Sequence, residues 1–221
     1  HGIYIGGHPK VSERSDDDWR RLEASGVTIA HCPVVFARMG EALASFGRYK
    51  SAGINLGLGT DTWPPDLLHN MRTGLYVARV LEGDATHTTS ADLFNAATLG
   101  GARALRRDDL GRLAPGAKAD IVVFDLKAAH LGPFFDPLKN LILSGRGTDC
   151  RASYIGGRCV MEDFRVSGAD VDALQAQADR QFAKLMASHQ ARAFDNPGLD
   201  RLFHPVFPWA RGDGRTAAKA Q

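Results

Sequence analysis

The stretch Ile54-Asn55-Leu56-Gly57-Leu58-Gly59-Thr60-Asp61 decides how the chain is read. Ile54 to Leu58 form a short apolar run of the kind that becomes a buried strand. Gly59 and Thr60 then turn the chain tightly, so Asp61 is presented at the strand's carboxyl end. Parallel α/β folds place their chemistry at that end. A second strand, Val27 to Ala30, ends the same way in His31-Cys32-Pro33, and His1-Gly2 followed by Ile3-Tyr4-Ile5 opens the chain beside a third. One aspartate after a Gly-Thr turn is weak testimony, because such residues often cap a helix or turn. Polar groups at three successive strand ends carry more weight.

Outward from this stretch the pattern alternates. Ser15 and Asp16 to Asp18 suit a helix start, since carboxylates favour the positive end of the helix dipole. A loop follows His31, and then a helix over Glu41 to Ser51. After the Asp61 strand, a helix over Asp66 to Glu82 buries Leu67, Leu68, Met71 and Leu75. Ser90 is the expected N-cap of the next helix. Strand and helix in alternation imply βα units of a parallel sheet or barrel. After Leu110 the character changes to short strands: Ala119 to Asp125, then Arg151 to Ile155 and Arg158 to Glu162 joined by Gly156-Gly157 as a hairpin. Residues 168 to 190 read as an amphipathic helix with Val171, Leu174, Ala178, Phe182 and Leu185 on one stripe. From Ala191 an extended, aromatic arm is expected, ending in a disordered Arg211 to Gln221.

Composition bounds the partners. Hydrophobic residues make up 44% of the 221, enough for a core, and 27 basic residues nearly cancel 25 acidic ones. No basic stripe argues for nucleic acid, and no apolar run spans a bilayer, which leaves a small-molecule partner as the default. Cys32, Cys150 and Cys159 are odd in number and irregularly spaced, which fits a reducing, cytoplasmic setting better than a disulfide framework. A phosphate-binding α/β protein would need a glycine-rich strand-to-helix loop, and the sequence has none of the right form.

The ordered set of Gly59-Thr60-Asp61, His31-Cys32-Pro33, the segment Asn95 to Leu105 and above all Gly111-Arg112-Leu113-Ala114-Pro115-Gly116-Ala117-Lys118-Ala119-Asp120 to Asp125 resembles the carboxyl-terminal half of a metal-dependent amidohydrolase. The branch it looks most like holds cytosine, guanine and adenosylhomocysteine deaminases and triazine hydrolases. The resemblance covers roughly residues 1 to 166. It implies the last part of a (β/α)8 barrel over 1–109, strands of a small β-sandwich over 110–166, and a terminal helix and arm over 167–221. It implies that Asp61 binds a divalent metal and shuttles protons, and that His1 contacts the substrate and its developing oxyanion. His31 would lie beside the same site, with a purely structural role as the alternative. The metal would be one zinc ion by ligand type, with iron or manganese possible.

Such chemistry needs these residue types. A divalent cation acidifies water, a nearby carboxylate accepts the proton, and an imidazole opposite stabilises the charge that develops. The implied reaction is hydrolysis of a carbon–nitrogen bond in an aminated heterocycle, with hydrolytic dechlorination as the near alternative. Two departures stand out. Val35-Phe36 occupies the place of a Ser-Asn pair, and Trp63-Pro64-Pro65 follows Asp61 where small polar residues are usual. Trp63 is thereby a candidate wall for an aromatic substrate, packing being the equal alternative. The long Gly7 to Asp17 connection is a candidate lid. The chain contains no HxH pair and offers one metal ligand where three or more are needed, so an upstream half is expected to supply the rest. A non-catalytic partner subunit lacking that half is the reading from another class. Exposed apolar residues in the arm suggest a homodimer.

Overall fold

The computed structural model describes residues 16–133 and 135–195, together with 197, 198, 201, 206 and 207. His1, residues 7–15 of the expected lid and the end of the arm lie outside the described residues, whereas Asp16 and Asp17, the last two residues of that connection, open a helix. In chain order the elements are α1 (Asp16–Ser25), β1 (Thr28–His31), α2 (Pro33–Arg38), α3 (Phe46–Ser51), β2 (Asn55–Leu58), α4 (Leu67–Glu82), α5 (Ser90–Asn95), a π-helical turn (Ala96–Gly100), α6 (Gly101–Ala104), β3 (Ile121–Phe124), α7 (Pro137–Ser144), a 3-10 turn (Gly147–Asp149), β4 (Cys150–Ile155), β5 (Arg158–Glu162), β6 (Arg165–Val166) and α8 (Val171–Arg192). Described residues up to Ser167 belong to one compact unit, and those from Gly168 on belong to a second, which holds α8.

β1 and β2 run parallel, with Ile29 opposite Leu56 and His31 opposite Leu58. Side chains alternate across strands, so Ile29, His31, Leu56 and Leu58 share one face, and Thr28, Ala30, Asn55 and Gly57 share the other. The first face meets the helices. Ile29 and Leu56 join Leu43, Phe46 and Tyr49 from the α3 region, Leu68, Met71 and Leu75 from α4, and Leu93 from α5 in one apolar core. Trp19 of α1 closes it from outside: its ring meets Tyr49 edge-on at 4.8 Å and carries the Arg48 guanidinium at 4.0 Å from its centroid.

Several helices differ from expectation, each for a local reason. The segment after His31 is helical at once because Pro33, with φ already fixed, occupies the first helical position of α2. α3 starts at Phe46 instead of Glu41, since the Ser45 side chain accepts from the Arg48 amide at 3.0 Å and sets the N-cap there. α5 is capped by Thr89, not Ser90. Thr89 and Asp92 exchange side-chain and backbone bonds in a capping box. α7 was not anticipated, although Asp136 caps it and Pro137 opens it. α8 runs two residues further than expected, to Arg192.

β3, β4, β5 and β6 form an antiparallel sheet in sequence order. The β4–β5 hairpin turns through Gly156 and Gly157 at φ of 57° and 80°, the two positive values that a tight two-residue hairpin requires. α4 ties the first part of this unit to the α7 region. Arg72 Nε donates to the Ile142 carbonyl at 3.0 Å, and its Nη2 donates to that of Gly145.

Candidate functional site

The carboxyl ends of β1 and β2 lie side by side, locked by the Gly59 amide donating to the His31 carbonyl at 2.9 Å. Two residues beyond that bond the chain reaches Asp61, which is exposed and has φ of +47°. A left-handed conformation costs a residue with a Cβ about 1–2 kcal/mol, less for Asp than for most, and it persists only where the surroundings over-determine it. Here the turn lifts the carboxylate clear of the core that begins at Leu58. Cys32 lies close by: its Sγ is 3.1 Å from where a Gly59 side chain would begin. Burial pushes the Cys32 thiol up, and the Asp61 charge adds to that rise.

The segment after Asp61 is fastened at several points. Arg38, the last residue of α2, donates through Nη1 to the Trp63 carbonyl at 2.6 Å and to Thr62 Oγ1 at 3.3 Å. Asp66 uses one oxygen to cap α4 through the His69 amide at 3.0 Å and the other to accept from the Gly147 amide at 3.1 Å. Asn70, fully buried, joins α4 to α2 by accepting from the Val34 amide at 3.3 Å and donating to the Asp66 carbonyl at 3.0 Å. Trp63 is 77% exposed and stands on the same segment as Asp61.

His31 is placed differently. It is 5% exposed, its ring 5.7 Å from that of Phe46, and a methyl group on Gly74 would sit 3.3 Å from its Nε2. Its Nδ1 has no hydrogen-bond partner among the described residues. Burial lowers its pKa to about 4, so it is neutral. The structure thus leaves Asp61 and Trp63 exposed on one segment and buries the His31 ring in the helix layer. Strand alternation was the available signal, because Ile29 marks the core face and His31 follows it by two. Arg38 and Asn70 escaped sequence reading: neither belongs to a motif, although an asparagine among the apolar positions of α4 is a visible oddity.

Among the described residues no group of three His, Cys, Asp or Glu converges as a metal site. Asp61 fits a divalent metal as one carboxylate of a larger donor set, not as a complete one. Nor is any helix among the described residues long and apolar enough to cross a membrane.

Residues 1–160 match the amidohydrolase family. A 5-methylthioadenosine/S-adenosylhomocysteine deaminase of Natronomonas pharaonis is 35% identical over 191 residues, covering 85% of this chain and 42% of that protein. The fold resembles an adenosine deaminase from Xanthomonas campestris, solved with bound zinc, at a TM-score of 0.74 and 27% identity over 79% of this chain and 41% of the other. It also resembles an atrazine chlorohydrolase from Arthrobacter aurescens, complexed with zinc, at a TM-score of 0.66 and 28% identity over 73% and 38% of the respective chains. This chain thus spans about two fifths of the length of the relatives it matches.

Proposed function

Since this chain belongs to the amidohydrolase family, we propose that it forms the carboxyl-terminal part of a zinc-dependent hydrolase that removes the exocyclic amine of an adenosine-type purine. The observation that carries the reading is Asp61, an exposed carboxylate in a strained turn at the end of a parallel strand. The substrate class rests on likeness to proteins named as deaminases of 5-methylthioadenosine, S-adenosylhomocysteine and adenosine. In this reading β1 and β2 are neighbouring strands of a (β/α)8 barrel, and β3 to β6 belong to a β-sandwich. The remaining metal ligands come from protein upstream of this chain.

When bound, zinc supplies positive charge that acidifies water and polarises the carbon under attack. Asp61 takes a proton from the attacking water at a carboxylate oxygen and delivers it to the departing nitrogen. The carbon–oxygen bond forms, the carbon–nitrogen bond breaks, and ammonia leaves as an amidine becomes a lactam. His1 contacts the substrate and stabilises the charge that develops on a substituent of the attacked carbon. Trp63 lines the approach with an aromatic face, and His31 serves through its main chain, which holds the two strand ends in register. The three free thiols support a reducing cytoplasmic setting. Exposed Val171, Leu174, Phe182 and Leu185 on α8 support a homodimer.

Dechlorination of a triazine is the second reading, favoured by the likeness to atrazine chlorohydrolase. The complete protein, assayed for ammonia from 5′-deoxyadenosine and chloride from atrazine, distinguishes the two. Asp61→Asn should lower the productive rate by about 10²-fold or more, because the amide accepts no proton from water. Turnover of either substrate by that variant at the parent rate would contradict the role of Asp61.

A further inference from the structure

We propose that Arg38 is the positioning residue for Asp61, a proposal that rests on the functional reading above and extends it to a residue with no motif. A left-handed aspartate needs a segment held on both sides. On the amino-terminal side the Gly59 amide bonds to the His31 carbonyl. On the carboxyl-terminal side Asp66 is fixed by its cap and by Gly147. Between these anchors, Arg38 grips the Trp63 carbonyl and the Thr62 hydroxyl with one nitrogen.

The origin of that grip is itself immobilised. α2 follows β1 after a single residue, buries Pro33 and Val34, and is bonded to Asn70 of α4 through the Val34 amide. Arg38 therefore transmits the position of a packed helix to the two residues directly after Asp61. A bond from a charged donor to a backbone carbonyl is short and directional, so it restrains the peptide's orientation as well as its location. The guanidinium is exposed, and an exposed side chain of this kind adds little to global stability. Its contribution lies in the geometry of the loop, and displacing a reacting carboxylate by about 1 Å can cost on the order of 10²-fold in rate.

The test uses the complete, zinc-loaded protein with Arg38→Ala and Arg38→Lys. Arg38→Ala should lower kcat for ammonia release from 5′-deoxyadenosine by about tenfold or more, with KM within about twofold and an unchanged unfolding midpoint. Amide hydrogen exchange across residues 58–68 should quicken in the same variant. Arg38→Lys, which keeps a cationic donor, should recover most of the lost rate. Unaltered exchange across 58–68, kcat within twofold of the parent, or a fall in rate matched by a fall in unfolding midpoint would each overturn the proposal. A parent protein that releases no ammonia would instead sink the functional reading, while the exchange comparison still decides whether Arg38 holds the loop.

Discussion

Asp61 follows β2 and His31 ends its neighbour β1, yet one side chain is exposed and the other is buried beside Phe46 and Gly74. The left-handed turn at Asp61 accounts for the first outcome and strand alternation for the second. Burial, with no partner for Nδ1 among the described residues, gives His31 a measurable signature. Its folded pKa of about 4 lies below the ordinary 6.5, so the folded protein holds a neutral ring while the unfolded chain takes up a proton below pH 6.5. Stability from this residue is complete above pH 6.5 and is lost progressively as pH falls toward 4, by about 3 kcal/mol in full. Urea denaturation at pH 7.5 and pH 4.5 should show that loss, and His31→Leu should remove most of it. An unchanged pH dependence in the variant would place the titrating group elsewhere. The turn that presents Asp61 was legible because Gly59 and Thr60 follow an apolar run, whereas a part for Asp61 in chemistry came only through the family resemblance. The ring direction at position 31 follows from register, since His31 lies two residues after Ile29 on the core face of β1.

Among the elements, β1, β2, α4 and the β4–β5 hairpin were legible, each from apolar periodicity or a pair of turn glycines. The short helices were not. Six residues of α2 make fewer than two turns, too few for a 3.6-residue period to declare itself, and the start of α3 depends on a side chain from a distant helix. That side chain is Glu82. Its carboxylate lies at the carboxyl end of α4, where the helix dipole disfavours it. It accepts from the Ser45 hydroxyl at 2.8 Å, the Gly47 amide at 2.8 Å and the Thr88 hydroxyl at 2.8 Å, so the amino terminus of α3 offsets the cost. Glu82→Ala should therefore destabilise by about 2–3 kcal/mol through three orphaned donors, read as a lower urea midpoint. Zinc content and KM should stay at parent values, since Glu82 touches no part of the Asp61 loop. A variant as stable as the parent would show that α3 is set by Ser45 alone.

At the scale of the first unit, two paired parallel strands lead into a segment that carries Asp61 and the exposed Trp63, with Arg38 bonded to the Trp63 carbonyl. Its family was legible from an ordered series of motifs, because turn residues such as those of Leu113 to Gly116 keep fixed places relative to the strands they join. The barrel and the metal site are expectations that only that resemblance supplies. The described residues hold two paired parallel strands and no cluster of three metal-ligating groups, and periodicity within a segment says nothing of partners outside it. The most direct measurement is an anomalous difference map collected at the zinc edge from crystals of the complete protein. The account predicts a zinc peak about 2.0–2.2 Å from an Asp61 carboxylate oxygen. A fully occupied zinc held by other residues, with Asp61 beyond bonding distance, would contradict it.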